Sequence, residues 1–106
     1  MNSDLKKYTV IISKRASRLL VHHSDFMARK SIKAAQELIA EFEKAAHSLE
    51  IMPSRGAWLK GDFISENTYR YLLFQKRYML IYKIKGDFVY IDYVIDCRED
   101  YGWLIK

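Results

Sequence analysis

Four residues in the last third of the sequence carry groups that could act together on a polyanion. Arg70, Lys83, Arg98 and Tyr101 lie near the ends of three β-rich runs, TYRYLLFQ, RYMLIYKI and FVYIDYVIDCREDYGWLI. Guanidinium and ammonium groups bind phosphates, and tyrosine rings stack on bases. If the runs are neighbouring strands, the pattern predicts a sheet surface suited to single-stranded RNA, or equally to an acidic or amphipathic peptide.

The elements that would position these residues can be predicted from hydrophobic periodicity. Alternation predicts the first strand, and richness in β-branched and aromatic residues predicts three more. Helical spacing of apolar residues predicts two helices, and Pro53 ends the second helix. The stretch 56–61 reads as a loop, and Gly86-Asp87 reads as a tight hairpin turn. The expected fold is α+β with the order β-α-α-β-β-β, in which a helical hairpin covers one face of an antiparallel sheet. The predicted strands span 8–13, 68–75, 78–85 and 88–95, and the predicted helices run from 14 and from about 31 to 51.

Side chains two apart on a strand share a face, which divides each predicted strand into two sets. On the run 78–85, Met79, Ile81 and Lys83 share one side. On the run 88–95, the apolar set predicts a buried face, and the mixed set, continuing towards Arg98, predicts the open side of the sheet. The apolar set is Val89, Ile91, Tyr93 and Ile95, and the mixed set is Phe88, Tyr90, Asp92 and Val94.

Length and composition favour one domain spanning residues 1–106, with a cytoplasmic location. The lone Cys97 excludes an internal disulfide, and the sequence has no apolar run of the roughly 20 residues that cross a bilayer. The net charge of +5 is uneven, because residues 1–35 carry eight Lys or Arg against two acids. Such asymmetry suits a nucleic-acid or acidic-protein partner, and it suits a solvated basic helix face equally well.

The sequence lacks the patterns of several site classes. His22, His23 and His47 are too scattered for a metal site, and no Gly-rich phosphate loop, serine elbow or paired-carboxylate motif is present. Cys97 has no base beside it in sequence. We therefore expect neither a metal nor an organic cofactor.

Five segments in order resemble the RelE/ParE superfamily of bacterial toxins from type II toxin–antitoxin systems. They are the first strand, AAQELIAEFEKAAHSLEIMPSRG, YRYLLF, YMLIY and VIDCREDY. The resemblance implies a RelE/ParE-like fold and a cognate antitoxin that holds the toxin inactive. It implies one of two activities: cleavage of mRNA on the ribosome, or action on DNA gyrase. A degenerate toxin that retains only antitoxin binding is a third alternative.

For mRNA cleavage, the resemblance assigns Arg70 and Arg98 to the scissile phosphate and Tyr101 to proton transfer. Further contacts with RNA would come from Lys60, Lys76, Arg77 and Lys83. The YMLIY segment departs from this pattern, since cleaving members usually carry arginine where Met79 stands. Gyrase inhibition has no comparably sharp sequence mark, and mRNA cleavage is the first expectation.

Overall fold

The computed structural model describes residues 6–61 and 64–98, which form two helices against one five-stranded sheet. This agrees with the predicted α+β class and element order. The order along the sheet is β1-β5-β4-β3-β2. The elements are β1 (Thr9–Ile12), α1 (Lys14–Ala28), α2 (Ile32–Ser48), a single 3₁₀ turn (Pro53–Arg55), β2 (Ala57–Trp58), β3 (Arg70–Phe74), β4 (Tyr78–Lys85) and β5 (Phe88–Asp96).

Each helix begins at a serine that satisfies a free backbone N–H. The Ser13 side chain accepts a hydrogen bond from the Ala16 N–H, and the Ser31 side chain accepts one from the Ala34 N–H. The second helix ends at Ser48, three residues before the predicted end at Ile51. The chain must turn there to reach Pro53, whose ring cannot continue a helix.

The predicted meander is present as β3, β4 and β5, which pair antiparallel in sequence order. The two outer strands differ from the prediction. β1 pairs parallel with β5, and part of the expected loop 56–61 forms β2, which pairs Ala57 with Tyr71 and Trp58 with Arg70. A strand of two residues is too short to show an alternating pattern in the sequence, so only its tertiary contacts identify β2 as a strand.

The sheet buries apolar side chains on both faces. The helices pack on one face, which we call the helix face, against Leu80, Tyr82 and Ile91. The opposite face, which we call the open face, buries Met79 and Ile81 of β4 with Tyr93 and Ile95 of β5. The predicted division of β4 into two sets is therefore correct.

The predicted division of β5 is wrong beyond Asp92, because the strand carries a β-bulge. Ile91 pairs with Tyr82, but the next β4 residue, Ile81, pairs with Tyr93, so Asp92 is an extra residue. The bulge reverses the alternation. Tyr93 and Ile95 therefore lie on the open face, while Val94 joins the helix-face core.

Beyond the end of β1, Ser13 and helix α1 supply hydrogen-bond donors to the backbone carbonyls on the outer edge of β5. The Ser13 N–H donates to the Ile91 carbonyl at 2.9 Å, and the Ser13 hydroxyl donates to the Asp92 carbonyl at 3.4 Å. The buried His23 donates from Nε2 to the Val94 carbonyl at 2.9 Å. These groups replace the strand that would otherwise pair there, so His23 closes the sheet edge.

Candidate functional site

The open face offers an apolar floor with a rim of polar and aromatic side chains. Leu59 from the segment after β2 and Tyr69 before β3 pack onto the floor, together with Ile64. Beside them lies a hollow of about 380 Å³. Its lining comprises Trp58, Leu59, Lys60, Tyr71, Leu73, Met79 and Cys97.

A polar cluster stands on this face at the bulge of β5. The Tyr69 hydroxyl donates to Asp92 Oδ2 at 3.2 Å, and Lys83 Nζ lies 3.6 Å from the same oxygen. From α1, Arg15 Nη1 donates to the Tyr93 hydroxyl at 2.8 Å. We call Arg15, Tyr69, Lys83, Asp92 and Tyr93 the bulge cluster. It places two cations, a carboxylate and two phenols on one surface, an arrangement able to bind a polar partner.

Arg70 does not join this surface. By alternation it belongs to the helix side of β3, where its Nη1 donates to the carbonyls of Ser54 at 3.2 Å and Gly56 at 2.8 Å. Its guanidinium carbon lies 3.9 Å from the centre of the Trp58 ring. These contacts hold the 3₁₀ turn and β2 against the sheet, which is a structural role.

Arg98 lies at the other end of the sheet from Arg70. Its Nη2 donates to Asp96 Oδ2 at 2.7 Å, and this hydrogen bond holds the pKa of the Asp96 carboxyl below its usual range. Arg70 pairs with Tyr82 of β4, whereas Asp96 pairs with Tyr78 of the same strand. These two β4 residues are four positions, or about 13 Å, apart along the strand. The structure therefore does not bring Arg70 and Arg98 to one phosphate.

Arg98 instead borders a hollow of about 330 Å³ on the helix side. His22, His23 and Phe26 of α1 form its opposite wall.

The predicted RNA contacts are also dispersed. Lys60 and Lys83 lie on the open face, whereas Lys76 lies in the β3–β4 turn beside α2. Arg77 follows Lys76, and its guanidinium carbon lies 5.4 Å from the Tyr78 ring centre. Tyr78 belongs to the helix-face core, so Arg77 lies near that core, where its Nε is buried and has no hydrogen-bond partner among residues 6–61 and 64–98.

The remaining catalytic candidate, Tyr101, lies outside the described residues. Met79, where cleaving members usually carry arginine, lies on the open-face floor with 3% of its surface exposed. A thioether buried there supports packing and provides no cation.

Comparison with known proteins identifies the family. The family model described as the ParE toxin of the type II toxin–antitoxin system parDE matches residues 10–101. The chain belongs to this family. The membership confirms the RelE/ParE resemblance and, at the level of the family, the expected antitoxin partner.

A solved structure described as the chromosomal ParDE toxin–antitoxin system from P. aeruginosa contains a chain similar to this ParE-family toxin. The TM-score is 0.70 at 13% identity, covering 85% of this chain and 96% of that chain. At this identity the similarity concerns the fold. No curated protein matches the sequence.

Sequence reasoning missed most of the bulge cluster of this ParE-family toxin. It placed Lys83 near a functional surface but gave no role to Tyr69, Asp92 or Arg15. One signal was available: Asp92 interrupts the apolar strand FVYIDYVI, which is unusual unless the carboxylate has partners. Arg15 could not have been found, because its contact with Tyr93 spans 78 residues.

Two further observations concern metal ligands and membrane spans. Within residues 6–61 and 64–98, no group of three or more His, Cys, Asp or Glu side chains is arranged to hold a metal ion. Neither helix in that part of the chain is long and apolar enough to span a membrane.

The bulge cluster predicts an unusual titration of Tyr69. Burial, reinforced by the Asp92 charge, raises the pKa of Tyr69 to about 12. The folded state thus holds this proton more tightly than the unfolded state, and the stabilisation, complete below pH ~10, is lost as the pH rises towards 12. In a titration of tyrosinate absorbance, Tyr69→Phe is expected to remove a component with its midpoint near pH 12.

The variant Asp92→Asn provides a check on the cause of this shift. It removes the carboxylate charge but leaves Tyr69 partly buried, so the Tyr69 midpoint is expected to fall and stay above that of an exposed tyrosine. A midpoint that does not move would contradict the hydrogen bond between Tyr69 and Asp92.

Proposed function

We propose that this ParE-family toxin arrests growth by binding DNA gyrase, and that its antitoxin prevents this in the cytoplasm. The observation that carries the proposal is the family match over residues 10–101. Within the superfamily that the sequence resembles, ParE-like members act on gyrase and RelE-like members cut mRNA.

The positions of the cations support binding over cleavage. Cleavage of RNA by its own 2′-hydroxyl needs cations that converge on one phosphate and a group that transfers protons. Arg70 donates to two backbone carbonyls, and Arg98 pairs with Asp96 at the far end of the sheet. Both guanidiniums thus have intramolecular partners.

The chemistry of the open face also favours a binding role. Trp58 and Leu73, which line the hollow beside the buried floor, are exposed apolar side chains, and the bulge cluster supplies opposite charges 3.6 Å apart. The surface therefore combines hydrophobic area with polar contacts. This combination is typical of protein interfaces. We propose that the open face contributes to the contact with gyrase.

The competing proposal is ribosome-dependent cleavage of mRNA. Arg70 and Arg98 would then bind the scissile phosphate and Tyr101 would transfer a proton, while Lys60, Lys76, Arg77 and Lys83 would contact the RNA. This mechanism requires a rearrangement that frees both arginines from their partners.

Inducible expression in a bacterium separates the two activities. A gyrase inhibitor is expected to stop DNA synthesis early, leave mRNA intact and inhibit supercoiling by purified gyrase. The measurements are pulse-labelled DNA and protein synthesis, mapping of mRNA 5′ ends, and a plasmid supercoiling assay. The gyrase proposal would be refuted if translation stopped early, new mRNA ends appeared, and the toxin did not inhibit supercoiling by purified gyrase.

The double variant Arg98→Ala, Tyr101→Phe tests the residues assigned to cleavage. Toxicity is expected to persist in this variant if gyrase binding is the activity. Loss of toxicity, with stability and antitoxin affinity retained, would support cleavage. The single variant Arg98→Lys is the matched control, because it keeps a cation beside Asp96.

A further inference from the structure

The exposed side of α1 carries a row of cations that has no part in the proposed contact with gyrase. Lys14, Arg18 and Arg29 are all exposed and are separated by four and eleven residues, close to one and three helical turns, so they share one side of the helix. The row is about 22 Å long. His22 and Asp25 lie between its ends, and Asp25 is the only acid in α1.

The cations of α1 have no acidic partners. Within residues 6–61 and 64–98, every ion pair joins residues outside this helix. Arg15 has a neutral partner, because its Nη1 donates to the Tyr93 hydroxyl at 2.8 Å and its guanidinium carbon lies 4.4 Å from the centre of the Tyr93 ring. Tyr93 therefore positions Arg15 without neutralising its charge. We call Lys14, Arg15, Arg18 and Arg29 the cationic stripe.

The stripe does not serve the stability of α1. The first turn carries Lys14 and Arg15 and no acid, although the free N–H groups at the beginning of a helix disfavour positive charge there. The exposed side of α2, in contrast, carries both signs of charge, and its Lys44 pairs with Glu41. Local conflicts with the rules of stability are expected where residues serve a function.

The shape of the stripe favours a rigid polyanion. Duplex DNA is straight over this length and carries about one negative charge per 1.7 Å of its axis. A single-stranded nucleic acid binds best where bases stack on a series of aromatic rings, and α1 offers one exposed phenylalanine, Phe26. A lipid bilayer would require a free apolar side, but Leu19, Leu20 and Met27 of α1 pack against the core.

We propose that this toxin binds duplex DNA directly, through contacts of the cationic stripe with phosphates. Phosphate contacts carry no sequence information, so unrelated duplexes are expected to bind alike. The net charge of +5 adds a long-range attraction to the same partner. The proposal goes beyond the gyrase contact and does not depend on it.

Binding of the purified toxin to a fluorescent DNA duplex tests the proposal. Fluorescence anisotropy is measured without gyrase or antitoxin over a range of salt concentrations, for two duplexes of unrelated sequence. Four phosphate contacts predict a slope of about −3.6 in a plot of log affinity against log salt, with equal affinity for both sequences. Absence of binding at low salt, or a slope near zero, would overturn the proposal.

The double variant Lys14→Gln, Arg18→Gln tests the stripe itself. Loss of two contacts is expected to make the salt slope shallower by about 1.8 and to weaken binding at least about tenfold. The midpoint of urea denaturation is expected to stay the same or rise, because cations are removed from the beginning of a helix. The single variant Arg29→Gln, at the other end of the stripe, is expected to change the slope by about 0.9.

Lys44→Gln with Lys85→Gln is the matched control. It removes the same charge from exposed positions on α2 and β4, and the salt slope is expected to remain that of the unmodified toxin. If the control variant and the stripe variant lose affinity equally, net charge alone attracts DNA, and the assignment to α1 is overturned.

Competition distinguishes duplex DNA from other polyanions. Single-stranded RNA of the same length and vesicles of anionic phospholipid are expected to displace the labelled duplex less well than unlabelled duplex does. Better displacement by either competitor would overturn the assignment to duplex DNA. Because gyrase is absent from these assays, their failure leaves the gyrase proposal standing, and a toxin that does not inhibit supercoiling could still bind DNA in them.

Discussion

Replacing Gly56 with alanine is expected to destabilise the fold strongly. A Cβ at this position would lie 2.7 Å from the Tyr71 carbonyl oxygen and closer still to the Tyr82 hydroxyl. The carbonyl belongs to a paired strand and the tyrosine is fully buried, so neither can move cheaply. Overpacking and the loss of a buried hydrogen bond together predict about 4 kcal/mol less stability.

Urea denaturation of the purified toxin would measure this loss. Gly86→Ala is the matched control, since it adds the same methyl group at a φ of +60° with open space around it. Only the backbone conformation is then penalised, at about 1 kcal/mol. Equal losses in the two variants would show that the chain around Gly56 relaxes freely.

Tyr82→Phe is the second change with a large expected effect. The hydroxyl of this buried tyrosine donates to the Pro53 carbonyl at 2.6 Å and accepts from the Gly56 N–H at 3.0 Å. Burial raises the pKa of Tyr82, so the hydroxyl remains a donor across the neutral range. Phenylalanine leaves two buried backbone groups without partners, which predicts a loss of about 3 kcal/mol.

Tyr90→Phe controls for removing a hydroxyl. Tyr90 is partly exposed on β5, and its hydroxyl has no hydrogen bond to the rest of the described chain. Its loss is expected to change the free energy of unfolding by less than about 0.5 kcal/mol. A small effect of Tyr82→Phe in the same denaturation assay would mean that water replaces the hydroxyl.

The helices and the strands of the meander could be predicted from the sequence because their signals are local. Ser31 marks a helix start, and the runs of β4 and β5 are rich in β-branched and aromatic residues over eight or nine residues. β2 could not be predicted, because its two residues form a strand only by pairing with Tyr71 and Arg70, 14 and 12 residues away.

The candidate site was harder to predict because of a single extra residue. Strand parity assigned Tyr93 to the helix face, and the bulge at Asp92 moves it to the open face. A bulge depends on hydrogen bonds between strands, which the pattern of one strand does not contain. Arg70 was predicted as catalytic from its type and motif, whereas its partners are the carbonyls of Ser54 and Gly56.

The parallel pairing of β1 with β5 links the completion of the fold to translation. Thr9 pairs with Phe88, seventy-nine residues later, so β1 has no strand to pair with until β5 leaves the ribosome. Contacts of such long sequence separation slow folding, because a large loop must close before they form. The nascent toxin therefore exposes β1 through most of its synthesis, and its sheet closes only after the last described strand has been made.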